Sequence, residues 1–151
     1  MIEKASLEHI DILVSSGREV LADLPNYAGV PFDEEHSKNA LTMYLSLPIF
    51  GCFFKRVDNK VVGVLMGVVG APWFTPQNEM SEIIFWVHRD YRRTGISREL
   101  IKAMEHWAVN ELNAKKLLMA AGSGYETERI TKFYNKLGYR TWGTSTCKEI
   151  K

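Results

Sequence analysis

Residues 81–100 read S-E-I-I-F-W-V-H-R-D-Y-R-R-T-G-I-S-R-E-L, and their pattern changes from that of a strand to that of a helix. The apolar first part predicts a buried strand, and the apolar spacing after Gly95 predicts an amphipathic helix. A basic turn with one glycine joins the two. Such a turn leaves free backbone N–H groups at the helix N-terminus, where the helix dipole also favours negative charge. The stretch therefore predicts a site for phosphate groups, with added positive charge from Arg92 and Arg93.

The pattern of this turn leaves a second interpretation open. It lacks the spacing of a G-x-x-x-x-G-K-[ST] phosphate loop, and it is not a G-x-G-x-x-G fingerprint because Gly95 stands alone. A basic surface turn, in which Gly95 provides only the tight geometry, explains the same residues.

The composition is that of an ordinary globular protein: 151 residues, 46% hydrophobic and 25% charged, with a net charge of +1. The low net charge argues against a general nucleic-acid binder. No apolar run is long enough for a transmembrane helix. The acidic first residues predict no signal peptide. Cys52 and Cys147 lie far apart, which indicates two free thiols, no metal cluster and a cytoplasmic location.

Periodicity predicts alternating strands and helices in one domain over residues 1–151. Ser6 and Asp33 are expected to cap the first two helices, Asp58-Asn59 to form a hairpin turn, and Gly138 to end the last helix. The predicted order is strand 2–5, helix 7–24, helix 33–47, strands 49–57, 61–69 and 82–88, helix 95–112, strand 116–121, a Gly-Ser-Gly loop at 122–124, helix 126–137, and one or two strands in 139–151. This order predicts a three-layer α/β domain with a mixed sheet.

Two blocks of the sequence resemble motifs of the GNAT superfamily of acyl-CoA-dependent N-acetyltransferases. Residues 92–97, R-R-T-G-I-S, are similar to the family's [QR]-x-x-G-x-[GA] after its fourth strand. Residues 133–139, F-Y-N-K-L-G-Y, are similar to its L/F-Y-x-x-x-G-F near the C-terminus. The blocks lie about 40 residues apart in the expected elements. The resemblance covers essentially the whole chain and implies a mixed sheet of six or seven strands flanked by about four helices.

The resemblance implies acetyl-CoA as the co-substrate and no metal. Backbone groups of Phe85, Trp86 and Val87 are expected to pair with the pantetheine arm, where this strand parts from the next. The pyrophosphate is expected on backbone N–H groups of the turn, namely Arg93, Thr94, Gly95, Ile96 and Ser97, with the Arg92 and Arg93 side chains on the outer phosphates. Ser97 replaces the family's usual glycine or alanine, and Thr127 stands near where many members carry an asparagine facing the cofactor.

Tyr134 matches the tyrosine that acts as general acid in many members of the family. Its helical spacing with Ile130 and Leu137 also fits a residue of the core. Glu82 matches a glutamate that works through water as general base in histone-type members, or it is a solvated carboxylate at a strand end. His88 and His106 are further candidates for the base, although each fits a surface or packing role.

The acceptor is expected to bind near the first two helices and the loops beside them. The aromatic candidates are Tyr27, Phe32 and Trp73, accompanied by Phe74, and the carboxylates of Asp33, Glu34 and Glu35 suit a cationic amine. The alternative is a solvated first helical turn with aromatic residues that anchor loops.

Three functions remain open from the sequence. The first is transfer of acetyl from acetyl-CoA to a primary amine on a small molecule or peptide. The second is a non-catalytic acyl-CoA-binding sensor or interaction module of the same fold. The third is a phosphate-binding protein of unrelated fold. Trp73, Phe74 and the terminal strands suggest a homodimer, and neither nucleic acid nor a membrane is expected as partner.

Overall fold

The computed structural model describes residues 1–121 and 126–150, so the loop predicted at 122–124 lies outside the described residues. Short 3₁₀ turns precede α1, α2 and α3, and a π-helical turn at Trp107–Glu111 extends α3. The regular elements are β1 (Glu3–Lys4), α1 (Ile10–Ala22), α2 (Glu34–Leu45), β2 (Phe50–Val57), β3 (Lys60–Gly70), β4 (Glu79–Val87), α3 (Ile96–His106), β5 (Lys116–Leu118) and α4 (Thr127–Lys136).

The described strands form one mixed sheet in the order β1-β2-β3-β4-β5. Neighbouring strands are antiparallel from β1 to β4, while β4 and β5 are parallel. The chain crosses from β4 to β5 through α3, as a parallel connection requires. The predicted α/β class with a mixed sheet is confirmed.

Two hydrophobic clusters lie on opposite faces of this sheet, which gives the three layers. One joins α1 and α2 to the sheet through residues such as Leu13, Phe54 and Trp86. The other joins α3 and α4 to it through residues such as Leu100 and Tyr134. Alternating side chains of the central strands feed both clusters, because successive residues of a strand point to opposite faces.

The local signals read from the sequence are confirmed at three sites. The Asp33 carboxylate accepts a hydrogen bond from the backbone N–H of His36 at 2.8 Å and caps α2. Asp58 and Asn59 have φ of 48° and 59°, as the hairpin between β2 and β3 demands. Gly138 has φ of 92° and ends α4 by donating to the carbonyl of Asn135.

The glycines of β3 allow α3 to approach the sheet closely. A Cβ built on Gly67 lies 2.8 Å from the sulfur of Met80 and 3.2 Å from Met104 of α3. A side chain at this position therefore pushes the helix away from the strand.

The expected sheet of six or seven strands is wrong, because the described residues form five. Residues 139–150 contain no strand, and every residue from 140 to 150 is exposed. The threonine- and serine-rich tail has strand propensity but few apolar residues to bury, and β5 offers an edge of only three residues. Other boundaries also differ, since β4 begins at Glu79 rather than Glu82 and β5 ends at Leu118 rather than Ala121.

Candidate active site

A gap between β4 and β5 is the central feature of the site. Residues 79–81 of β4 pair with residues 116–118 of β5, where β5 ends, while β4 continues to Val87. No described strand pairs with this second half of β4 on the β5 side. The gap opens into a cleft of about 760 Å³ lined by all six residues from Glu82 to Val87. Backbone N–H and C=O groups along this edge are therefore available to an extended ligand.

A β-bulge marks the beginning of the unpaired half of β4. Gly67 of β3 pairs with Glu82 and Met66 pairs with Ile84, so Ile83 is the extra residue. The bulge leaves the Ile83 side chain 47% exposed inside the cleft. Bulges commonly re-aim side chains next to functional sites, and this one separates Glu82 from the regular strand beyond it.

The opposite end of the cleft is the N-terminus of α3. Gly95 is the N-cap residue with φ of 94°, a left-handed conformation that favours glycine. A Cβ built there meets no described atom within 4 Å, so the space beside it is open. Gly95, Ser97 and Arg98 line the cleft, and Gly95 offers no side-chain cap to the first N–H groups of the helix. Arg93 has φ of 67° and also lines the cleft.

This end has the features of an anion site: backbone donors, a helix dipole and arginine side chains. Of the predicted turn residues, Arg92, Arg93, Thr94, Gly95 and Ser97 all line the cleft. The Ile96 side chain is instead buried in the core, so only its backbone can face a ligand.

Arg92 is held by protein groups. Its Nε donates to the carbonyl oxygen of Val87 at 3.0 Å, and its Nη2 lies 3.5 Å from the Asp23 carboxylate. The same carboxylate accepts from Trp86 Nε1 at 3.0 Å and from Arg89 at 2.8 Å. Asp23 thus connects the end of α1 to the end of β4 and to the turn that follows it.

The charge on Asp23 is stabilised by these partners. Burial opposes its ionisation, but the hydrogen bonds from Arg89 and Trp86 and the charge of Arg92 outweigh burial and lower the pKa. The sequence did not indicate this residue, because its partners lie more than sixty positions away in the chain. The role expected of Arg92 on an outer phosphate stays a prediction.

Glu82 and Tyr134 meet at one residue, Ala120, which follows β5. The backbone N–H of Ala120 donates to the Glu82 carboxylate at 2.7 Å. The Tyr134 hydroxyl donates to the Ala120 carbonyl oxygen at 3.3 Å. Tyr134 lines the cleft and also packs near Phe85 and Tyr139, so it combines the two positions that the sequence left open.

Burial raises the pKa of both side chains of this pair. Burial raises the pKa of Glu82 to about 7, and the hydrogen bond from Ala120 offsets only part of that rise. Burial, the charge of Glu82 and the neighbouring Tyr139 raise the pKa of Tyr134 well above its usual range. The Glu82 carboxyl therefore has a pKa near neutrality, whereas the Tyr134 hydroxyl stays protonated there.

The two histidine candidates lie outside this cleft, among the residues described. His88 Nε2 lies 2.9 Å from the Glu19 carboxylate, and its Nδ1 accepts from the N–H of Asp90. His106 lies beside Asn110, with its Nδ1 3.0 Å from the amide nitrogen. Both positions fit the packing interpretation.

The predicted acceptor residues are dispersed. Tyr27 lines the cleft and is half exposed. Phe32 instead lies against Gly17 and under the Arg18 guanidinium, which anchors the loop before α2. Trp73 is 96% exposed and contacts Phe74, so its binding role and the homodimer stay predictions.

Thr127 lies at the start of α4 beside a separate depression. Several residues of the cleft were not indicated by the sequence motifs. Helical spacing in the sequence places Ile130 and Phe133 on the apolar face of α4, and both line the cleft. An i,i+3 ion pair joins Glu126 to Arg129 at 2.8 Å. The cleft residues without a sequence prediction are Asp23, Leu24, Ile83, Ile84, Arg98, Ala120, Glu126 and Arg129.

Within the described ranges, no group of three potential ligands for a metal ion occurs. The described helices include none that is long and apolar enough to cross a membrane.

Comparison with known proteins agrees with this geometry. The chain belongs to the acetyltransferase (GNAT) family, whose family model matches residues 18–139. Membership excludes the unrelated phosphate-binding fold left open by the sequence. The search of curated proteins gave no match for this chain.

Solved acetyltransferase structures share the fold at low identity. An aminoglycoside acetyltransferase from an uncultured soil metagenomic sample, in complex with sisomicin, is 18% identical with a TM-score of 0.77, over 100% of this chain and 96% of that chain. A ribosomal-protein-alanine N-acetyltransferase from Brucella melitensis is 19% identical with a TM-score of 0.74, over 99% of each. A predicted acetyltransferase from Clostridium acetobutylicum, solved with acetyl-CoA, is 17% identical with a TM-score of 0.74, over 100% and 95%.

Proposed function

We propose that this chain is an N-acetyltransferase that moves the acetyl group of acetyl-CoA to a primary amine. The observation that carries the proposal is the meeting of Glu82 and Tyr134 at Ala120, in a cleft that continues along β4 to the open N-terminus of α3. A proton acceptor, a proton donor and an anion site thus lie in one cleft of an acetyltransferase fold.

The cleft fits acetyl-CoA in three respects. Along Phe85, Trp86 and Val87, the backbone groups that point away from β3 are open to the pantetheine arm, apart from the Val87 carbonyl, which accepts from Arg92. The space beside Gly95 is open, and the first N–H groups of α3 suit a pyrophosphate. The Arg93 side chain lines the same end of the cleft and adds positive charge. When bound there, acetyl-CoA supplies the activated acetyl group.

In the proposed reaction, Glu82 accepts a proton and Tyr134 donates one. Glu82, directly or through water, removes a proton from the amine, whose nitrogen attacks the thioester carbonyl carbon. A backbone N–H of the unpaired β4 edge stabilises the developing negative charge on the oxygen. The C–N bond forms and the C–S bond breaks, while Tyr134 gives its phenolic proton to the departing sulfur and the nitrogen loses its second proton to the resulting phenolate or to water. The products are an amide and a free thiol, and Glu82 and Tyr134 exchange their protons with solvent to restore the starting state.

The two residues support each other in this sequence. The negative charge of Glu82 is one cause of the raised pKa of Tyr134. When Glu82 takes up the proton of the amine, that charge disappears and Tyr134 becomes a stronger donor. Base and acid therefore act in the order that the chemistry requires.

The experiment that tests the proposal is a screen of primary amines with acetyl-CoA, read as release of free thiol above a control without amine. Acceptor-dependent release supports the enzyme. Acetyl-CoA well above its dissociation constant also stabilises the protein, by ~2.7 kcal/mol at a 100-fold excess. Binding without release by any amine supports the non-catalytic module, and no binding overturns both.

A further inference from the structure

The carboxylates of the cleft restrict the charge of the acceptor. Three carboxylates line the cleft, together with four arginines. Two of the carboxylates are paired: Asp23 with Arg89 and Arg92, and Glu126 with Arg129. Glu82 instead accepts the N–H of Ala120 and has no cation within ion-pair distance among the described residues. One carboxylate is therefore left for the acceptor's positive charge.

The acidic residues that the sequence suggested for a cationic acceptor lie elsewhere. Asp33 uses its carboxylate to cap α2, and Glu34 and Glu35 are exposed in the first turn of that helix. None of the three lines the cleft. The cleft therefore offers an acceptor with several positive charges only one unpaired carboxylate among the described residues, Glu82.

Apolar groups occupy much of the remaining wall. Leu24, Ile83 and Ile84 line the cleft, and the bulge displays Ile83 there instead of burying it. Tyr27 presents a half-exposed ring to the same cleft. These side chains suit a hydrocarbon or aromatic body attached to the reacting amine.

Resting on the proposed function, we infer that the acceptor is a primary amine with a single positive charge on an apolar body, such as an arylalkylamine or alkylamine. A polyamine or an aminoglycoside is not the substrate class that this cleft fits. The chain shares its fold with an acetyltransferase solved in complex with sisomicin, but among its described residues the cleft leaves one carboxylate unpaired for a cationic acceptor.

The test compares acetylation of 2-phenylethylamine and hexylamine with that of spermidine and sisomicin at one pH and low ionic strength. We expect kcat/KM for the two monoamines to exceed that for the polycations by about 10-fold or more. Contacts between apolar groups in a pocket commonly give specificity ratios of about this size. Faster acetylation of spermidine or sisomicin overturns the inference and leaves the proposed function intact. Acetylation of no amine, with acetyl-CoA bound, overturns both.

A pair of matched variants locates the effect. Ile83→Ser is expected to lower kcat/KM for hexylamine by about 5- to 10-fold, while the affinity for acetyl-CoA changes little. Ile49→Ser is the control, because Ile49 has a similar exposure, 44% against 47%, and lies outside the cleft. Equal losses in the two variants, or no loss at Ile83, count against the inference.

Discussion

Two partly buried carboxylates, one at each end of the unpaired half of β4, have opposite pKa shifts. At the C-terminal end, Asp23 is surrounded by donors from Trp86, Arg89 and Arg92, which lower its pKa. At the other end, Glu82 receives a single backbone N–H, and its pKa rises to about 7. Two carboxylates of one cleft thus have different properties because only one has cationic partners. Asp23 connects α1 to side chains at the end of β4 and in the turn after it, and Glu82 is the proton acceptor in the proposed function.

The largest effect is expected where the anion site is blocked. Gly95→Glu places a side chain and a negative charge in the open space at the N-terminus of α3, and it forces a residue with a Cβ into a left-handed conformation. We expect acetyl-CoA binding to be lost in a calorimetric titration. Gly29→Glu is the matched control, because Gly29 also has a positive φ, 81°, and open space around it. Normal affinity in a folded Gly95→Glu protein contradicts the assignment of this end.

A smaller effect is expected from the proton donor. Tyr134→Phe keeps the ring that packs near Phe85 and loses only the hydroxyl. We expect kcat to fall by about 10²-fold, in the range of general acid catalysis, with little change in the dissociation constant of acetyl-CoA. Tyr44→Phe is the control, since Tyr44 stacks on Phe50 and lies outside the cleft. Unchanged turnover in Tyr134→Phe returns this residue to a purely structural role.

Substitution of Asp23 is expected to change the binding of acetyl-CoA rather than the rate of acetyl transfer. Asp23→Asn weakens the contacts to Arg89 and Arg92 and loosens the turn before α3. The KM for acetyl-CoA should rise by about tenfold, which corresponds to one charge-assisted hydrogen bond of ~1.4 kcal/mol, while kcat changes little. Asp11→Asn serves as control, because it removes a salt bridge to Lys38 on the exposed side of α1. A fall in kcat with an unchanged KM contradicts the positioning role.

The sequence predicted the parts of the site that depend on neighbours in the chain. Gly95 and the turn around it follow from one continuous stretch, and Tyr134 was indicated by a motif at the end of α4. The Asp23 network was not predictable, because it joins α1 to residues more than sixty positions later. Phe32 was expected at the acceptor, but the small Gly17 leaves room for its ring on α1.

The predicted strands of the C-terminal tail fail for a related reason. Strand propensity is local, whereas a strand also needs an available edge and an apolar face to bury. Residues 140–150 are all exposed, and β5 is only three residues long. The sequence of the tail does not show whether a strand edge is available for pairing or whether its side chains can be buried.

The most direct test of the central claim is the dependence of kcat/KM on pH for the wild type and Glu82→Gln, with an accepted amine. Because the base works when deprotonated, wild-type activity should rise as the pH increases through about 7. In Glu82→Gln this rise should disappear, leaving residual activity that increases only toward the amine's own pKa of ~10. Glu79→Gln on the same strand, whose carboxylate pairs with Lys116, should keep the wild-type profile. A Glu82→Gln enzyme with an unchanged rise near pH 7 and wild-type kcat/KM would contradict the account.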